Sequence, residues 1–407
     1  MSPALPSASK GRVLWVATAD ARGHVMRAQL LARALRREQV EVDVVTTSDE
    51  GAAFLSEFGI QADVLSRDYR VEFDERHNMD RRRTDATIAR YVLDPTRMLR
   101  DLRWFARRAS GMDLVIDDSN HPALLFLPLL KWAGDVRVVH VYGRHLRLAL
   151  ETNFDGRAPR WFSRFYSAVI RRLMARGFAR IEHTFDALDL DERQGWGNFF
   201  LPPVVGVPSR TAAEARRSLG VTPLERLAVV YLNPHFQDST LAAKLEQALA
   251  AAGFRMHAIG EGYPDRPGWR ARDPRLADAI GAADLFVSGI GMAALAQARA
   301  FGVPFLGVVG EQPEQMQNLR YLRDAGHAFE VVRCEEAGAS LDERLAAAIQ
   351  RLMHPPGAAL ARPNSDEAIV KTQSLWVNLL VQLIERARRE RTLPPARIEE
   401  TKEWRAA

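Results

Sequence analysis

The chain has 407 residues, of which 47% are hydrophobic and 26% are charged; this composition is typical of a soluble globular protein and excludes disorder along the whole length. The net charge of +5 is modest, and no nucleic-acid-binding motif is recognisable, so we expect no nucleic-acid partner. The single cysteine, Cys334, excludes an internal disulfide, and without an apolar run of signal-peptide or membrane-spanning length the sequence predicts a cytoplasmic protein.

The first half of the chain alternates apolar strands with amphipathic helices, which is typical of a parallel sheet covered by helices on both faces. We predict strands at residues 13–19, 42–47, 114–117, 136–142 and 180–183, and helices at 25–37 and 95–109. Residues 69–91 are charged and irregular, so we expect a long surface loop there. These elements predict a flexible N-terminus over 1–10 and a first Rossmann-like domain over 11–203.

A second series of strands and helices follows the proline-rich and glycine-containing residues 201–209, which are typical of a boundary between domains. Strands are predicted at 227–232, 254–259, 285–288, 304–309 and 329–332. We therefore expect a linker over 204–212 and a second Rossmann-like domain over 213–355, facing the first across a central cleft. An apolar stripe predicts that 356–407 contains a helix that packs back on the domains; it consists of Leu375, Val377, Leu379, Leu380, Leu383 and Ile384.

A candidate acid–base pair lies in the first domain. Gly23 and His24 fall where the first strand turns into a helix, at the sheet edge where doubly wound folds bind ligands. Asp117 and Asp118 end another strand, and a carboxylate can orient a histidine for proton abstraction. We predict that Asp117 pairs with His24. The alternatives are that His24 caps a helix while the aspartates bind loop amides, and that Arg27, one turn on, either meets an anionic ligand or is solvated.

Two further polar clusters are weaker candidates. Asp189 and Asp191 form a D-x-D pair of the kind that can hold Mg²⁺ with a nucleotide diphosphate, but they lie in an acidic segment for which a solvated loop is the favoured interpretation. His140 and His145 flank the end of a strand and are candidates for lining the site, without a complete set of metal ligands. The absence of P-loop and nucleophile-elbow motifs argues against a P-loop NTPase and an α/β-hydrolase.

Residues 157–180 carry seven arginines and no acidic residue, interleaved with Trp161, Phe162, Phe165 and Tyr166. A basic aromatic helix of this kind can lie on an anionic membrane surface. The favoured alternative is a helix that packs between domains or on the core and leaves a solvated arginine face. The sequence leaves both interpretations open.

A glycine turn in the second domain has the pattern of a phosphate-binding site. Ser288, Gly289 and Gly291 follow a buried strand and precede a helix that begins at Met292. Glycines let the backbone approach a diphosphate, whose charge then faces the helix N-terminus. The pattern therefore predicts binding of a diphosphate at this turn.

Polar side chains follow the next strand of the second domain, at Glu314, Gln315 and Asn318. Carboxylate and amide groups suit sugar hydroxyls, which both donate and accept hydrogen bonds. The alternative is that these residues cap the helix that Pro313 starts. Together with the glycine turn, they predict a site for a nucleotide-linked sugar.

Three motifs carry a family resemblance: Gly23-His24, the glycine turn and helix that lead to Gly302-Val303-Pro304, and Glu314-Gln315-Met316-Gln317-Asn318. With them, the chain resembles the nucleotide-sugar-dependent glycosyltransferases of the GT-B fold. It is similar in particular to the UDP-glycosyltransferases and to the family that adds N-acetylglucosamine to the lipid-linked peptidoglycan precursor. The resemblance covers both domains in order. It implies that the first domain binds the acceptor and the second binds the donor.

The resemblance also implies roles for single residues, with His24 as general base and Asp117 as its partner. The implied donor-binding residues are Ser288, Gly289, Gly291, Met292, Gln297, Glu314, Gln315 and Asn318. The implied acceptor-side residues are Gly23, Arg27, Asp118 and His145. One departure is Gln297, since many relatives have a glutamate there that binds both ribose hydroxyls. Another is that the tryptophan-rich nucleotide signature of the plant enzymes is missing, although Arg272-Asp273-Pro274 occupies a comparable place.

The implied activity is an inverting, metal-independent transfer of a sugar from a UDP- or dTDP-linked donor to a hydroxyl of a lipid-linked or small-molecule acceptor. The leaving diphosphate would be stabilised by backbone amides and a helix dipole, so we expect no metal and no cofactor besides the nucleotide-sugar co-substrate. The alternatives are a nucleotide-sugar 2-epimerase of the same fold and a non-catalytic sugar-nucleotide-binding protein. The expected location is cytoplasmic, at the inner face of the membrane if residues 157–180 bind lipid.

Overall fold

The computed structural model describes residues 9–19, 22–65, 72, 80–119, 121–144, 146, 150–151, 159–185, 197–309, 318–324, 326–334, 340–354 and 365–392. In this part of the chain, two parallel sheets of seven and six strands are present. Helices pack on both faces of each sheet, and each face has its own hydrophobic core. The predicted α/β fold with two doubly wound sheets is confirmed.

The first sheet has the strand order β3-β2-β1-β4-β5-β6-β7, with every pair of neighbours parallel. Its strands are β1 Gly11–Ala17, β2 Val40–Thr46, β3 Ala62–Val64, β4 Leu114–Asp118, β5 Val138–Gly143, β6 Ala179–His183 and β7 Asn198–Leu201. Its helices are α1 Arg22–Arg37, α2 Asp49–Ser56, α3 Arg81–Val92, α4 Pro95–Ala109, α5 Pro122–Phe126 and α6 Arg160–Met174, with short 3₁₀ turns at Leu127–Leu129 and Lys131–Ala133.

The second sheet has the order β10-β9-β8-β11-β12-β13 and is also parallel. Its strands are β8 Arg226–Leu232, β9 Phe254–Gly260, β10 Trp269–Arg270, β11 Leu285–Gly289, β12 Phe305–Val309 and β13 Phe329–Arg333. The helices of this half are α7 Ala212–Ser218, α8 Ser239–Ala251, α9 Leu276–Gly281, α10 Met292–Phe301, α11 Arg320–Asp324, α12 Leu341–Met353 and α13 Ser365–Thr392.

Each sheet reverses its strand order at one place, between β1 and β4 in the first sheet and between β8 and β11 in the second. At such a switch point the connections leave to opposite faces, which opens a crevice at the carboxyl ends of the strands. The turns that follow β1, β4 and β11 carry the residues that the sequence identifies as candidates. Both candidate half-sites therefore lie where a doubly wound sheet binds ligands.

Strand β4 presents alternate residues to two different cores. Leu114 and Ile116 pack in the core that contains α1 and α13, whereas Val115 packs in the core that contains α4 and α5. This alternation follows from the period of two residues in a strand. It continues into the two aspartates at the end of β4, which must face opposite sides of the sheet.

The C-terminal helix α13 links the two halves of the molecule. Ile369 is buried in a core of the second sheet, while Trp376, Leu380 and Leu383 are buried in a core of the first. The indole Nε1 of Trp376 donates a hydrogen bond to the carbonyl of Pro202 at 2.8 Å. The predicted packing helix is thus confirmed, although Leu375 of the predicted stripe is 37% exposed.

Part of the predicted surface loop is helical. Helix α3 spans Arg81–Val92, and Asp80 caps it by accepting a hydrogen bond from the backbone N–H of Arg83 at 2.9 Å. The prediction of a loop over 69–91 is therefore wrong for residues 81–91. The consecutive arginines favoured a solvated loop, whereas the cap at Asp80 was the local signal for a helix start.

Candidate functional site

The N-termini of α1 and α10 meet between the two sheets. A Cβ built on Gly23 would lie 3.6 Å from the Cβ of Ala293, which is ordinary van der Waals contact. One turn further along, the amide Nε2 of Gln297 lies 3.7 Å from the sulfur of Met26. The carboxyl edges of the two sheets therefore face each other, and two helix N-termini converge in the cleft between them.

His24 is paired with Asp118 on the first-sheet side of this cleft. Its Nδ1 lies 2.7 Å from Oδ1 of Asp118, whose side chain is fully buried. An ionised carboxylate only accepts hydrogen bonds, so Nδ1 carries the proton and Nε2 carries the lone pair of the neutral ring. The side chain of His24 remains 24% exposed. In this tautomer Nε2 is free of the carboxylate and can accept a proton.

Arg27, one turn after His24 on α1, binds the same carboxylate. Its Nε lies 2.8 Å from Oδ2 of Asp118 and its Nη2 lies 2.5 Å from Oδ1. Burial alone would raise the pKa of Asp118, but the charges and hydrogen bonds of Arg27 and His24 outweigh burial and lower that pKa. Asp118 is therefore held as a carboxylate in a water-poor position.

Asp117, the predicted partner of His24, lies on the other face of β4. Its Oδ2 is 2.9 Å from Nδ1 of His140, and its Oδ1 accepts hydrogen bonds from the hydroxyl and backbone N–H of Ser119 at 2.7 and 3.2 Å. His140 is its register neighbour on β5 and is fully buried. The predicted pairing is therefore wrong: α1 packs on the face to which Asp118 points, and Asp117 belongs to the opposite core.

His183, which ends β6, is a buried histidine that the sequence did not single out. Burial lowers its pKa well below the usual value, and the nearby charge of Arg27 acts in the same direction. The ring is packed against Gly143, where an added Cβ would lie 3.3 Å from Cε1. His183 is thus a neutral neighbour of the charged cluster. Its position at a strand end of the same sheet was the available signal.

The glycine turn lies on the second-sheet side of the cleft, and its glycines have different surroundings. A Cβ on Gly289 would fall 2.7 Å from Cε2 of Phe236, so that position is closed by packing. A Cβ on Gly291 would meet no atom within 4 Å, so the surface above it is open. Gly291 is the N-cap of α10 and brings no capping side chain. The first N–H groups of α10, beginning with Met292, have no acceptor within the helix.

Three other predicted donor residues are occupied by contacts within the protein. The hydroxyl of Ser288 donates to the carbonyl of Tyr231 at 2.7 Å. The side-chain amide of Asn318 donates to the carbonyl of Ile290 at 3.2 Å. Since Ile290 lies between Gly289 and Gly291, this hydrogen bond stabilises the glycine turn. Gln297 is buried against α1. These contacts shape the turn, and they leave the backbone amides as its main polar groups toward the cleft.

Some candidates lie outside the described residues, namely His145, Asp189, Asp191, Glu314 and Gln315. Among the residues that the structure does describe, no three His, Cys, Asp or Glu side chains form a metal-binding group.

Ion pairs connect the two halves of the described chain across the cleft. Arg22, the first residue of α1, forms a bidentate ion pair with Glu261. Its Nε lies 2.7 Å from Oε1, and its Nη2 contacts Oε2. Arg272 lies 3.4 Å from Glu261 and 3.3 Å from Glu57 of the first half. The sequence did not single out Arg22 or Glu261, although Glu261 directly follows the strand β9. These ion pairs link the carboxyl edges of the two sheets.

No protein-family model matches the chain, and no curated protein matches it. Solved structures do match. LpCGTa, solved in complex with UDP, is 15% identical over 93% of this chain and 100% of its own, with a TM-score of 0.64. The calicheamicin glycosyltransferase CalG4 is 17% identical over 92% and 98%, with a TM-score of 0.56. The spinosyn rhamnosyltransferase SpnG, complexed with thymidine diphosphate, is 18% identical over 90% and 99%, with a TM-score of 0.56. The chain has the GT-B fold.

Proposed function

We propose that this GT-B protein is an enzyme that transfers a sugar from a UDP- or dTDP-linked donor to a hydroxyl of a small-molecule or lipid-linked acceptor. The observation that carries the proposal is the position of the His24–Asp118 pair across the cleft from the open glycine turn at Gly291. The UDP and thymidine diphosphate complexes of proteins with this fold support a nucleotide diphosphate as the ligand of that turn.

The acceptor half of the reaction rests on His24. Its Nε2 takes the proton of the acceptor hydroxyl as that oxygen attacks the anomeric carbon, and the Nδ1–H bond to Asp118 stabilises the resulting imidazolium. General base catalysis of this kind contributes about 100-fold to 10,000-fold to a rate. Because the oxygen attacks from the face opposite the leaving group, the anomeric configuration inverts.

The donor half rests on the turn between β11 and α10. As the bond from the anomeric carbon to the diphosphate oxygen breaks, the electron pair stays on the diphosphate and its negative charge grows. The backbone N–H groups of the first turn of α10, beginning with Met292, stabilise that charge together with the positive end of the α10 dipole. Preorganised donors of this kind lower the barrier most where charge develops. We propose that they do so without a metal ion.

The test is release of nucleoside diphosphate from a panel of UDP- and dTDP-linked sugars. We expect slow donor hydrolysis by the wild type, with water as acceptor, and a loss of about 100-fold in His24→Ala. Thermal stabilisation by the donor should persist in His24→Ala, because that variant leaves the glycine turn intact. Equal release by both proteins would reject His24 as the base, and no release with any donor would reject the activity.

A second candidate function is non-catalytic binding of a sugar nucleotide. It is favoured by Gln297, which stands at the position of the glutamate implied by the family resemblance and turns its amide toward Met26. Under this alternative, nucleotide sugars stabilise the wild type but release no diphosphate under any condition. The same panel therefore separates the two candidates.

A further inference from the structure

Helix α6 buries small polar side chains and exposes aromatic ones, which is the reverse of the pattern expected of a surface helix. The side chains that it buries are Ser163, Ser167 and Met174, which are mostly small and polar. Its outer face carries Trp161, exposed at 69%, and Phe165, exposed at 62%. A surface helix of a soluble protein normally buries its aromatic side chains and exposes its serines. The exposed rings therefore call for a partner outside the described fold.

The same face is also basic, both within the helix and in the turn that follows it. Arg164, Arg172 and Arg176 are exposed, and residues 159–180 contain no acidic side chain. Aromatic rings beside arginines, with no carboxylate among them, form the composition of a helix that lies at an anionic lipid interface. Tryptophan is enriched at that interface because its ring is apolar while its N–H remains hydrated.

The aromatic end of α6 lies toward the candidate active site. The helix ends at Met174, and β6 begins at Ala179, so the C-terminal end of α6 is near the amino edge of the first sheet. The helix is about 20 Å long and runs back along the sheet. Its N-terminal end, with Trp161, therefore lies toward the carboxyl edge, which is the edge that carries His24 and Asp118.

We infer that the outer face of α6 and of the turn after it, defined by Trp161, Phe165, Arg164, Arg172 and Arg176, docks the protein on an anionic membrane surface. The rings enter the headgroup region while the arginines bind lipid phosphates. Since the aromatic end is on the side of the cleft, docking presents the acceptor half of the site to the membrane. This last point rests on the proposed function and favours a lipid-linked acceptor, whereas the docking itself does not depend on any activity.

A second copy of the chain is a less suitable occupant. A symmetric dimer buries the same patch of both copies, so two α6 faces would place Arg164, Arg172 and Arg176 of one copy near those of the other. Like charges in such a contact oppose association. Anionic headgroups instead complement both the charge and the apolar character of the face.

The experiment is co-sedimentation of the full chain with two kinds of vesicle, one of phosphatidylcholine alone and one of phosphatidylcholine mixed in equal parts with phosphatidylglycerol. We expect binding to the anionic vesicles, at least about ten-fold stronger than to the neutral ones and weakened by salt. The double variant Trp161→Ser/Phe165→Ser should lose at least about ten-fold in binding, because both rings are removed from the interface. The pair Arg164→Gln/Arg172→Gln should lose the preference for anionic lipid.

Leu224→Ser is the matched control, since Leu224 is an almost fully exposed apolar residue in the other half of the chain; it should bind like the wild type. No sedimentation with anionic vesicles, or equal sedimentation of Trp161→Ser/Phe165→Ser and the wild type, would overturn the inference. A dimer in solution that becomes a monomer in that double variant, without vesicle binding, would assign the face to self-association and also overturn it. Donor hydrolysis in the absence of vesicles reports on the proposed function separately.

Discussion

The guanidinium of Arg27 and the imidazole of His24 share one carboxylate, that of Asp118. Arg27 contributes two hydrogen bonds to it and His24 contributes one. Two elements carry the three side chains: α1, which packs on one face of the first sheet, and β4, which is a strand of that sheet. The buried guanidinium lowers the pKa of Asp118 and holds its carboxylate in place as the acceptor for Nδ1 of His24. We accordingly expect Arg27 to act as a positioning residue.

The two aspartates of β4 should have separable roles. Asp118→Asn removes the charge opposite His24, so we expect sugar transfer or donor hydrolysis to fall by about 100-fold or more. Asp117→Asn disturbs the buried pair with His140 instead, and it should reduce the free energy of unfolding while the rate constant changes less than about ten-fold. The measurements are steady-state kinetics and urea unfolding of both variants. A folded Asp117→Asn protein as inactive as Asp118→Asn would contradict this division.

Removal of Arg27 should make stability depend on pH. In the wild type the pKa of Asp118 is lowered, so the pair contributes stability above the unfolded pKa of about 3.9 and loses it as the pH falls through the lower folded value. In Arg27→Gln, burial is left to raise that pKa. We expect the variant to be less stable by about 3–5 kcal/mol at neutral pH.

The loss of stability of Arg27→Gln relative to the wild type should shrink as the pH falls from about 7 to about 4, because Asp118 then becomes neutral in the folded variant. Urea unfolding across this range measures the difference. Arg33→Gln, at an exposed position of the same helix, is the control and should match the wild type throughout. A deficit that is constant with pH would show that Arg27 acts by packing alone.

The two glycines of the glycine turn, Gly289 and Gly291, should respond differently to substitution. Gly291→Val adds side-chain atoms to open space at an extended backbone position (φ −91°, ψ 153°). It should cost no more than about 1 kcal/mol of stability as a changed N-cap, but weaken nucleotide binding by at least about ten-fold through obstruction of the diphosphate. Gly289→Ala drives a Cβ into Phe236 and should cost about 1–3 kcal/mol of stability. Thermal unfolding and nucleotide titration distinguish these effects.

Gln297 provides a test of donor recognition. If its buried amide also binds the ribose, Gln297→Leu should raise the donor KM by about ten-fold with little change in kcat, since the contact is the same in ground and transition states. Met26→Leu removes only the sulfur that the amide contacts and should leave KM nearly unchanged. An unchanged KM in Gln297→Leu would show that the departure from glutamate at this position removed the ribose contact altogether.

Local patterns in the sequence predict the architecture well, because strand and helix signals depend on neighbouring residues. The helix predicted to begin at Met292 is present with that start, and the strands on both sides of the cleft lie within a few residues of their predicted positions. The short strands β3, β7 and β10 were missed, since two to four residues carry too little pattern.

Contacts between distant elements are harder to read from the sequence. Asp117 and Asp118 end the same strand, and which of them pairs with His24 depends on the face of the sheet that α1 covers. That face is set by the connection between strand and helix, and the two aspartates themselves do not reveal it. The same is true of Arg22 and Glu261, which meet only because the two sheets face each other. Trp161 is exposed because α6 buries its small side chains on the other face. Composition alone favoured a helix that packs on the protein and leaves only its arginines solvated.

The proposed donor site at the turn between β11 and α10 is tested most directly by thermal unfolding of the wild type and Gly291→Val with a panel of UDP- and dTDP-linked sugars. A donor at one hundred times its dissociation constant should stabilise the wild type by about 2.7 kcal/mol. The same concentration should stabilise Gly291→Val by much less, because the added side chain occupies the proposed diphosphate position. Failure of every nucleotide sugar to stabilise the wild type, or equal stabilisation of both proteins, would contradict a donor site at the turn between β11 and α10.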